Sequence, residues 1–367
     1  MKAVLRSQIF WLLLFLSQAA YSQSAWREKP KTTFSGFIDV FYVYDFNKPE
    51  TEYRQPFFYN HNRHNEFNLN LGYLKTSLEH SRYRANFALQ AGTYPNDNYA
   101  AEPGVLKNIF EANAGIALTS KSNLWLDAGI FGSHIGFESA ISIDNWTLTR
   151  SLLAENSPYF ETGVKLTFTP TGKWEFAAMI LNGWQRIQRV EGNSMPSFGT
   201  QLKFSPNEHF LINWSTFIGT TDPDSTRRMR YFNNFYGQFQ LTEKIGLIAG
   251  FDLGFQQREK DSAQYDSWLS PVIIGQFAFH QNWKAAFRGE YYQDETGIII
   301  PTETPKGFKT TGLSLNLDYS PAPNLACRIE GRWLKSKDEI YERSGSLSNQ
   351  DFFLGSSIAI KFAGSSD

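Results

Sequence analysis

The 367-residue sequence has a single cysteine, Cys327. No intrachain disulfide can form, and a Cys-rich zinc or iron–sulfur site is excluded. An excess of either charge is also missing, with 35 Lys and Arg against 36 Asp and Glu. A general nucleic-acid binder needs a basic surplus to neutralise phosphates, so no nucleic-acid partner is expected. Nor is there an apolar run of about 18 residues, which rules out a helical membrane protein. The mean hydropathy is −0.39. What the chain has in quantity is aromatic residues: 32 Phe, 17 Tyr and 10 Trp, beside only 19% charged residues. A disordered chain shows the reverse balance.

The first 22 residues read as an address. Lys2 and Arg6 precede the apolar run Ile9–Leu16, and small and polar residues follow to Ser22. This is the layout of a secretory signal cut before Gln23, and its apolar run is shorter than the roughly 20 residues that span a bilayer. Residues 23–367 then form one exported domain of net charge −3.

That domain alternates with period two. Leu313, Leu315, Leu317 and Tyr319 oppose Ser314, Asn316 and Asp318. Cys327, Ile329, Gly331 and Trp333 oppose Arg328, Glu330 and Arg332, while Trp283, Ala285, Phe287 and Tyr291 oppose Lys284, Arg288 and Glu290. Phe352, Leu354, Ser356, Ile358, Ile360 and Phe362 share one face. Phe67, Leu69, Leu71 and Tyr73 are expected together on another, against Glu66, Asn68 and Asn70. A helical period fits none of these stretches, so they are strands with one apolar and one polar face.

Seven short polar turns recur, at 79–82, 120–123, 170–173, 205–209, 242–244, 280–282 and 320–324. Eight longer connections alternate with them, at about 47–64, 96–107, 134–157, 189–195, 221–228, 258–267, 295–308 and 339–350. Interleaved, they delimit sixteen strands with both termini on the short-turn side. A soluble sandwich would turn the apolar faces inward, whereas an outer-membrane barrel turns them to lipid. The systematic short–long alternation favours the barrel. So do the aromatics flanking the short turns, such as Phe168 and Trp174 or Phe279 and Trp283, because amphipathic rings settle at the headgroup level. Closure follows, because an open sheet edge in hydrocarbon leaves backbone groups unpaired. The fold class expected is therefore all-β: a closed antiparallel transmembrane β-barrel of about 16 strands, with short periplasmic turns and long extracellular loops. A barrel of roughly that size encloses an aqueous channel, which points to passive diffusion of small hydrophilic solutes or ions across the outer membrane of a Gram-negative cell.

Residues 134–157 form the longest connection and carry Ile, Trp and Leu, which need something to pack on. Folding into the barrel would supply it and narrow the pore, bringing Glu138, Asp144 or Arg150 to the constriction; a compact external lid is the other arrangement. Alternation places Asp39, Lys165, Lys284, Arg288, Glu290, Arg328, Glu330 and Arg332 on the pore-lining face, with Glu66, Asn68, Asn70, Lys203 and Lys361. Bases outnumber acids in that set, so a weak anion preference is expected. Asp39, between Ile38 and Val40, is the acid most expected to be structural, paired with a base on a neighbouring strand.

Catalysis has little to build on. No G-x-S-x-G occurs, and Ser133 and His134, as strand neighbours, would point to opposite faces. His61 and His64 could ligate a metal, but that spacing in a loop is a weak signal. No enzyme, cofactor or metal is expected. The alternative class is a non-conducting or substrate-specific barrel: structural, adhesive or lipid-transporting. A lipid transporter usually needs an N-terminal hatch, and strand alternation begins by Thr33.

The run Asp144-Asn145-Trp146-Thr147-Leu148-Thr149-Arg150-Ser151, then Ser157-Pro158-Tyr159-Phe160-Glu161-Thr162-Gly163-Val164 and Leu181-Asn182-Gly183-Trp184, resembles the OmpL-like β-barrel porin-2 family. Gly36–Asn47 resembles that family's first strand, and order and spacing match over about 36–205. The resemblance implies an outer-membrane channel in contact with outer-membrane lipids. It also implies recognition by the barrel-assembly machinery through the region of Phe362, which here precedes a five-residue tail. Homo-oligomerisation is open, since no local marker of a subunit interface stands out.

Overall fold

The computed structural model describes residues 28–366, so the expected leader, 1–22, lies outside the described residues. Sixteen strands close into one antiparallel barrel. They are β1 (Lys31–Asp45), β2 (Phe67–Glu79), β3 (Tyr83–Ala91), β4 (Ile109–Ala117), β5 (Leu124–Gly132), β6 (Phe160–Thr171), β7 (Trp174–Leu181) and β8 (Ser197–Asn207). The ring continues with β9 (Phe210–Gly219), β10 (Arg230–Gln240), β11 (Ile245–Gln257), β12 (Tyr265–His280), β13 (Trp283–Asp294), β14 (Phe308–Ala322) and β15 (Leu325–Ser336). A small hairpin, β16 (Tyr341–Arg343) with β17 (Ser346–Ser348), then stays outside the ladder, and β18 (Gln350–Ser366) completes it. β1 closes the ring on β18 from Thr32↔Ser366 to Asp45↔Phe353. Strand number and the short–long alternation agree with the sequence reading.

The faces are inverted relative to a soluble protein. On β14, Leu315 is 64% exposed while its neighbour Asn316 is 1% exposed. The same holds for exposed Ile329 and Ile358 beside buried Glu330 and Ser357. So much outward apolar surface is stable only against hydrocarbon, where the closed ring leaves no open sheet edge. Leu315→Arg, at the middle of β14, is expected to destabilise the barrel by about 2–4 kcal/mol. Reversible unfolding in lipid vesicles checks this; an unaffected midpoint would mean that Leu315 does not face lipid.

The short turns are tight. Thr171 pairs with Trp174, Asn207 with Phe210 and Ala322 with Leu325, each beside a register shift. Such bulges at a rim increase local twist and bend the strand end. Beside them lies an aromatic belt: Trp174 to Phe204 at 4.3 Å between centroids, Phe210 to Phe239 at 5.3 Å and Trp283 to Tyr319 at 4.7 Å.

One expected face does not survive. Asp39 of β1 pairs with Leu71 but Val40 pairs with Leu69, which leaves Asn70 bulged out of β2. The bulge reverses the alternation: Phe67 stays outward at 81% exposure, whereas Leu71 is buried inside and Tyr73 stacks on Phe110 at 5.1 Å. A period-two pattern shifts phase wherever a strand gains an unpaired residue.

The interior is also less uniformly polar than alternation suggested. Toward the long-loop rim, Phe41, Phe131, Leu181, Phe232, Trp268, Phe308 and Phe353 from the strands pack with Phe57, Phe58, Ile135 and Leu152 from the loops. Loops that turn inward carry apolar residues, and these bury against apolar wall positions rather than water.

Candidate functional site

The connection from β5 to β6, residues 133–159, first folds on itself. The Arg150 guanidinium donates to the carbonyls of Ser139 (2.8 Å), Ala140 (2.5 Å) and Leu148 (2.9 Å). Asn145 brackets Ser139 from the other side, accepting from its N–H at 2.8 Å and donating to its carbonyl at 2.7 Å. Glu138 accepts from the Ser151 N–H at 3.0 Å and from the Ser151 hydroxyl. Ser151 caps the single helical turn Leu152–Glu155. These contacts satisfy backbone groups that no strand reaches, which a buried loop requires.

The folded segment is then bonded to the inward face of β13, β14 and β15. The Leu148 N–H donates to Asn316 (3.0 Å), the Thr149 N–H to Glu330 (2.6 Å) and the Leu152 N–H to Glu290 (2.7 Å). Arg288 donates to the Thr149 carbonyl (2.6 Å) and to Glu330 (2.8 Å), and Arg332 to the Arg150 carbonyl (2.9 Å) and Glu290 (2.9 Å). Arg328 grips Asp318 with two bonds of 2.8 and 2.9 Å and reaches the carbonyls of Ser142 and Asn145. Arg288, Glu290, Arg328, Glu330 and Arg332 are all buried. Their charges meet one another and the segment's backbone, a planar guanidinium fork matching carboxylates and carbonyls alike.

Other walls hold the remaining edges. Asp144 pairs with Lys361 of β18 at 2.5 Å, and His134 Nε2 lies 2.9 Å from the Thr216 carbonyl of β9. Ser133 turns its hydroxyl to the Ile135 N–H, so Ser133 and His134 have separate partners. On β11 two glycines make room for the segment's rings: a Cβ at Gly246 would fall 2.5 Å from Trp146, and one at Gly250 2.7 Å from Phe137. Gly246, Gly250 and Gly254 share one face of β11, a sequence signal for a bulky neighbour that alternation of apolar residues does not report.

Asp39 is fully buried, with His61 Nε2 2.9 Å from its Oδ2 and the Asn70 amide at 3.2 Å. The expected base from a neighbouring strand is therefore a histidine of the β1–β2 loop, while the strand offers the bulged amide. His64 turns elsewhere, its Nδ1 accepting from the Asp45 N–H at 3.0 Å. Lys165 lies over the Phe131 ring at 4.7 Å, and Lys284 is exposed near the short-turn end of β13. Neither makes an ion pair among the described residues, and Lys203 makes none either. The basic surplus inferred from the sequence does not hold for the interior as a whole: Asp127, Glu161, Asp252, Asp294 and Asp351 are buried there too. They escaped the sequence reading because they flank apolar interior positions rather than a continuous polar face.

A cavity of about 300 Å³ opens between β2 and β6, lined by Arg84, Asn86, Glu111, Asn113, Asp127 and Lys165. Arg84 binds Asp127 there at 2.7 and 2.6 Å, and Lys75 pairs with Glu111.

Solved structures of porins and outer-membrane channels align with nearly the whole chain. An anion-selective porin from Comamonas acidovorans aligns at a TM-score of 0.60 with 10% identity, covering 91% of this chain and 100% of that one. The outer membrane channel DcaP of Acinetobacter baumannii aligns at 0.60 with 9% identity, over 92% and 98%. The trimer form of OmpT, an outer membrane protein of Vibrio cholerae, aligns at 0.58 with 7% identity, over 91% and 100%. At such identities these likenesses establish the fold. No curated protein matches the chain by sequence. The family described as "Putative beta-barrel porin-2, OmpL-like" matches residues 31–362, nearly the whole described barrel. The chain belongs to the OmpL-like β-barrel porin-2 family and is an outer-membrane porin.

Proposed function

We propose that this porin is a passive diffusion channel for small hydrophilic solutes, with segment 134–157 as its constriction. The supporting observation is the bonding of Leu148, Thr149 and Leu152 to the inward side chains Asn316, Glu330 and Glu290. A segment tied there, and reaching β8 and β9 through His134 and β18 through Asp144, occupies cross-section from β8 round to β18 and leaves the solute path along the β2–β7 wall. Paired ladders such as Arg84–Asp127 and Lys75–Glu111 hydrate that wall without setting a strong field.

Selectivity then falls to the charges left over. Lys165, Lys203 and Lys284 are inward lysines without an acid partner among the described residues; they keep some exposure to the lumen, whereas the inward acids without a basic partner, Glu161, Asp252 and Asp294, are buried, so anions are weakly favoured. Zero-current potentials in a salt gradient test this. The wild type is expected to prefer anions modestly, and Lys165→Glu with Lys284→Glu should move the potential toward cations. A wild type that already prefers cations would defeat the assignment. Transport in this reading needs no chemical step and no cofactor.

A further inference from the structure

At the long-loop rim five connections and the ends of two strands, β6 and β10, surround a pocket of about 400 Å³. Tyr59, Glu155, Trp184, Arg186 and Arg230 line it, with Ile298 and Ile299 on one side. Several of its polar groups lack a protein partner. Glu155 is 1% exposed; its Oε2 accepts from the Tyr59 N–H at 2.9 Å and from Asn60, but its Oε1 has no partner. The Tyr59 hydroxyl and the Trp184 indole N–H make no hydrogen bond among the described residues. Arg230 spends Nε and Nη2 on Gln256, at 2.9 and 2.6 Å, while its guanidinium lies 4.9 Å from the Trp184 ring centre. Arg186 uses one nitrogen on the Ala101 carbonyl. The pocket therefore offers unused donors and acceptors together, around a half-buried indole and two isoleucines.

We propose that this pocket binds a neutral saccharide of one or two rings. Each sugar hydroxyl both donates and accepts, which calls for mixed donors and acceptors rather than one charge. A pyranose also has an apolar C–H face, which an indole or isoleucine surface matches, and the volume falls within the usual range for small-molecule pockets. A lipid tail would leave Glu155, Arg186 and Arg230 unsolvated. A simple anion would meet Glu155, and a simple cation would meet the two arginines. Burial pushes the Glu155 carboxyl up to about 7, which makes it a weaker anchor for a zwitterion's ammonium group than a carboxylate ionised throughout the neutral range. A carboxyl near half protonation can donate as well as accept, which suits hydroxyls.

This inference rests on the porin reading only for where the bound solute goes next. The test is calorimetric titration of the detergent-purified full chain with maltose, glycylglycine and benzoate, beside conductance in planar bilayers. Maltose is expected to bind saturably and to interrupt the current when added at the long-loop side. Tyr59→Phe with Arg186→Ala, both at the rim, should weaken maltose binding about tenfold and leave the open-channel conductance unchanged. A conducting barrel that binds no maltose, binds glycylglycine or benzoate more tightly, or is indifferent to the double variant overturns the saccharide site while the channel stands. Maltose binding to a barrel that never conducts keeps the site and removes the channel. Should the double variant fail to fold, the wild-type competition between maltose and glycylglycine still decides.

Discussion

Replacing residues 138–152 by a short Gly–Ser linker is expected to raise the single-channel conductance several-fold. The segment contributes no strand to the ladder, so the closed ring of sixteen strands remains to hold the barrel in the membrane. What disappears is a layer in which Thr147, Leu148, Arg150, Ser151 and Leu152 are all buried. Water would take its place over Arg288, Glu290, Glu330 and Arg332, whose bonds to the segment are replaced by hydration. Ion flow depends on the narrowest cross-section, so opening the tightest level changes conductance more than any change in the vestibules. The barrel should still show its heat-modifiable shift on a gel. Conductance and selectivity equal to those of the wild type would mean that 134–157 does not constrict the path.

Glu330→Ala is expected to lower stability by about 3–5 kcal/mol, the range for breaking a buried ion pair from one side. Glu330 accepts from the Thr149 N–H (2.6 Å), the Thr149 hydroxyl (2.8 Å) and Arg288 (2.8 Å). Without it, Arg288 keeps Glu290 at 3.4 Å, and a buried backbone N–H loses its acceptor. The Coulombic and hydrogen-bond losses coincide, so this single truncation outweighs any surface change of similar size. Glu330→Gln retains an acceptor for Thr149 and should fall between the variant and the wild type. Denaturant unfolding in vesicles measures both; a loss under about 1 kcal/mol for Glu330→Ala would mean that water already reaches the network. Released from one anchor, the segment should also add noise to the open-channel current.

Much of the barrel is legible in the chain because its rules are local. A strand turns successive side chains to opposite faces, so Leu313, Leu315 and Leu317 announce one surface and Ser314, Asn316 and Asp318 the other. Short polar turns bounded by Phe and Trp mark the rim for the same reason. The exception at Asn70 is instructive. No residue in Phe67–Tyr73 announces a bulge, because it arises from the pairing of β2 with β1 and from the Asp39 and His61 groups that the Asn70 side chain reaches.

The site is only partly legible. The apolar composition of 134–157 states that the segment needs a surface, not which one. Asp144, Arg150 and Glu138 stand out as charges, yet Arg150 and Glu138 brace the segment internally and Asp144 pairs at its edge. Thr149, uncharged and unremarkable in sequence, meets Glu330, Arg288 and Arg332 at one hydroxyl.

The sequence by itself determined the strand number, the lipid-facing surface apart from β2, the alternating turns and the kind of molecule, because period two and turn chemistry act over a few residues. The tertiary structure alone decided which charges are spent on one another and which remain. Thr149 and Glu330 lie 181 residues apart, and no local periodicity can bring them together. Only closing the ring sets β13, β14 and β15 beside the segment, and only then do buried guanidinium groups find the carbonyls that satisfy them.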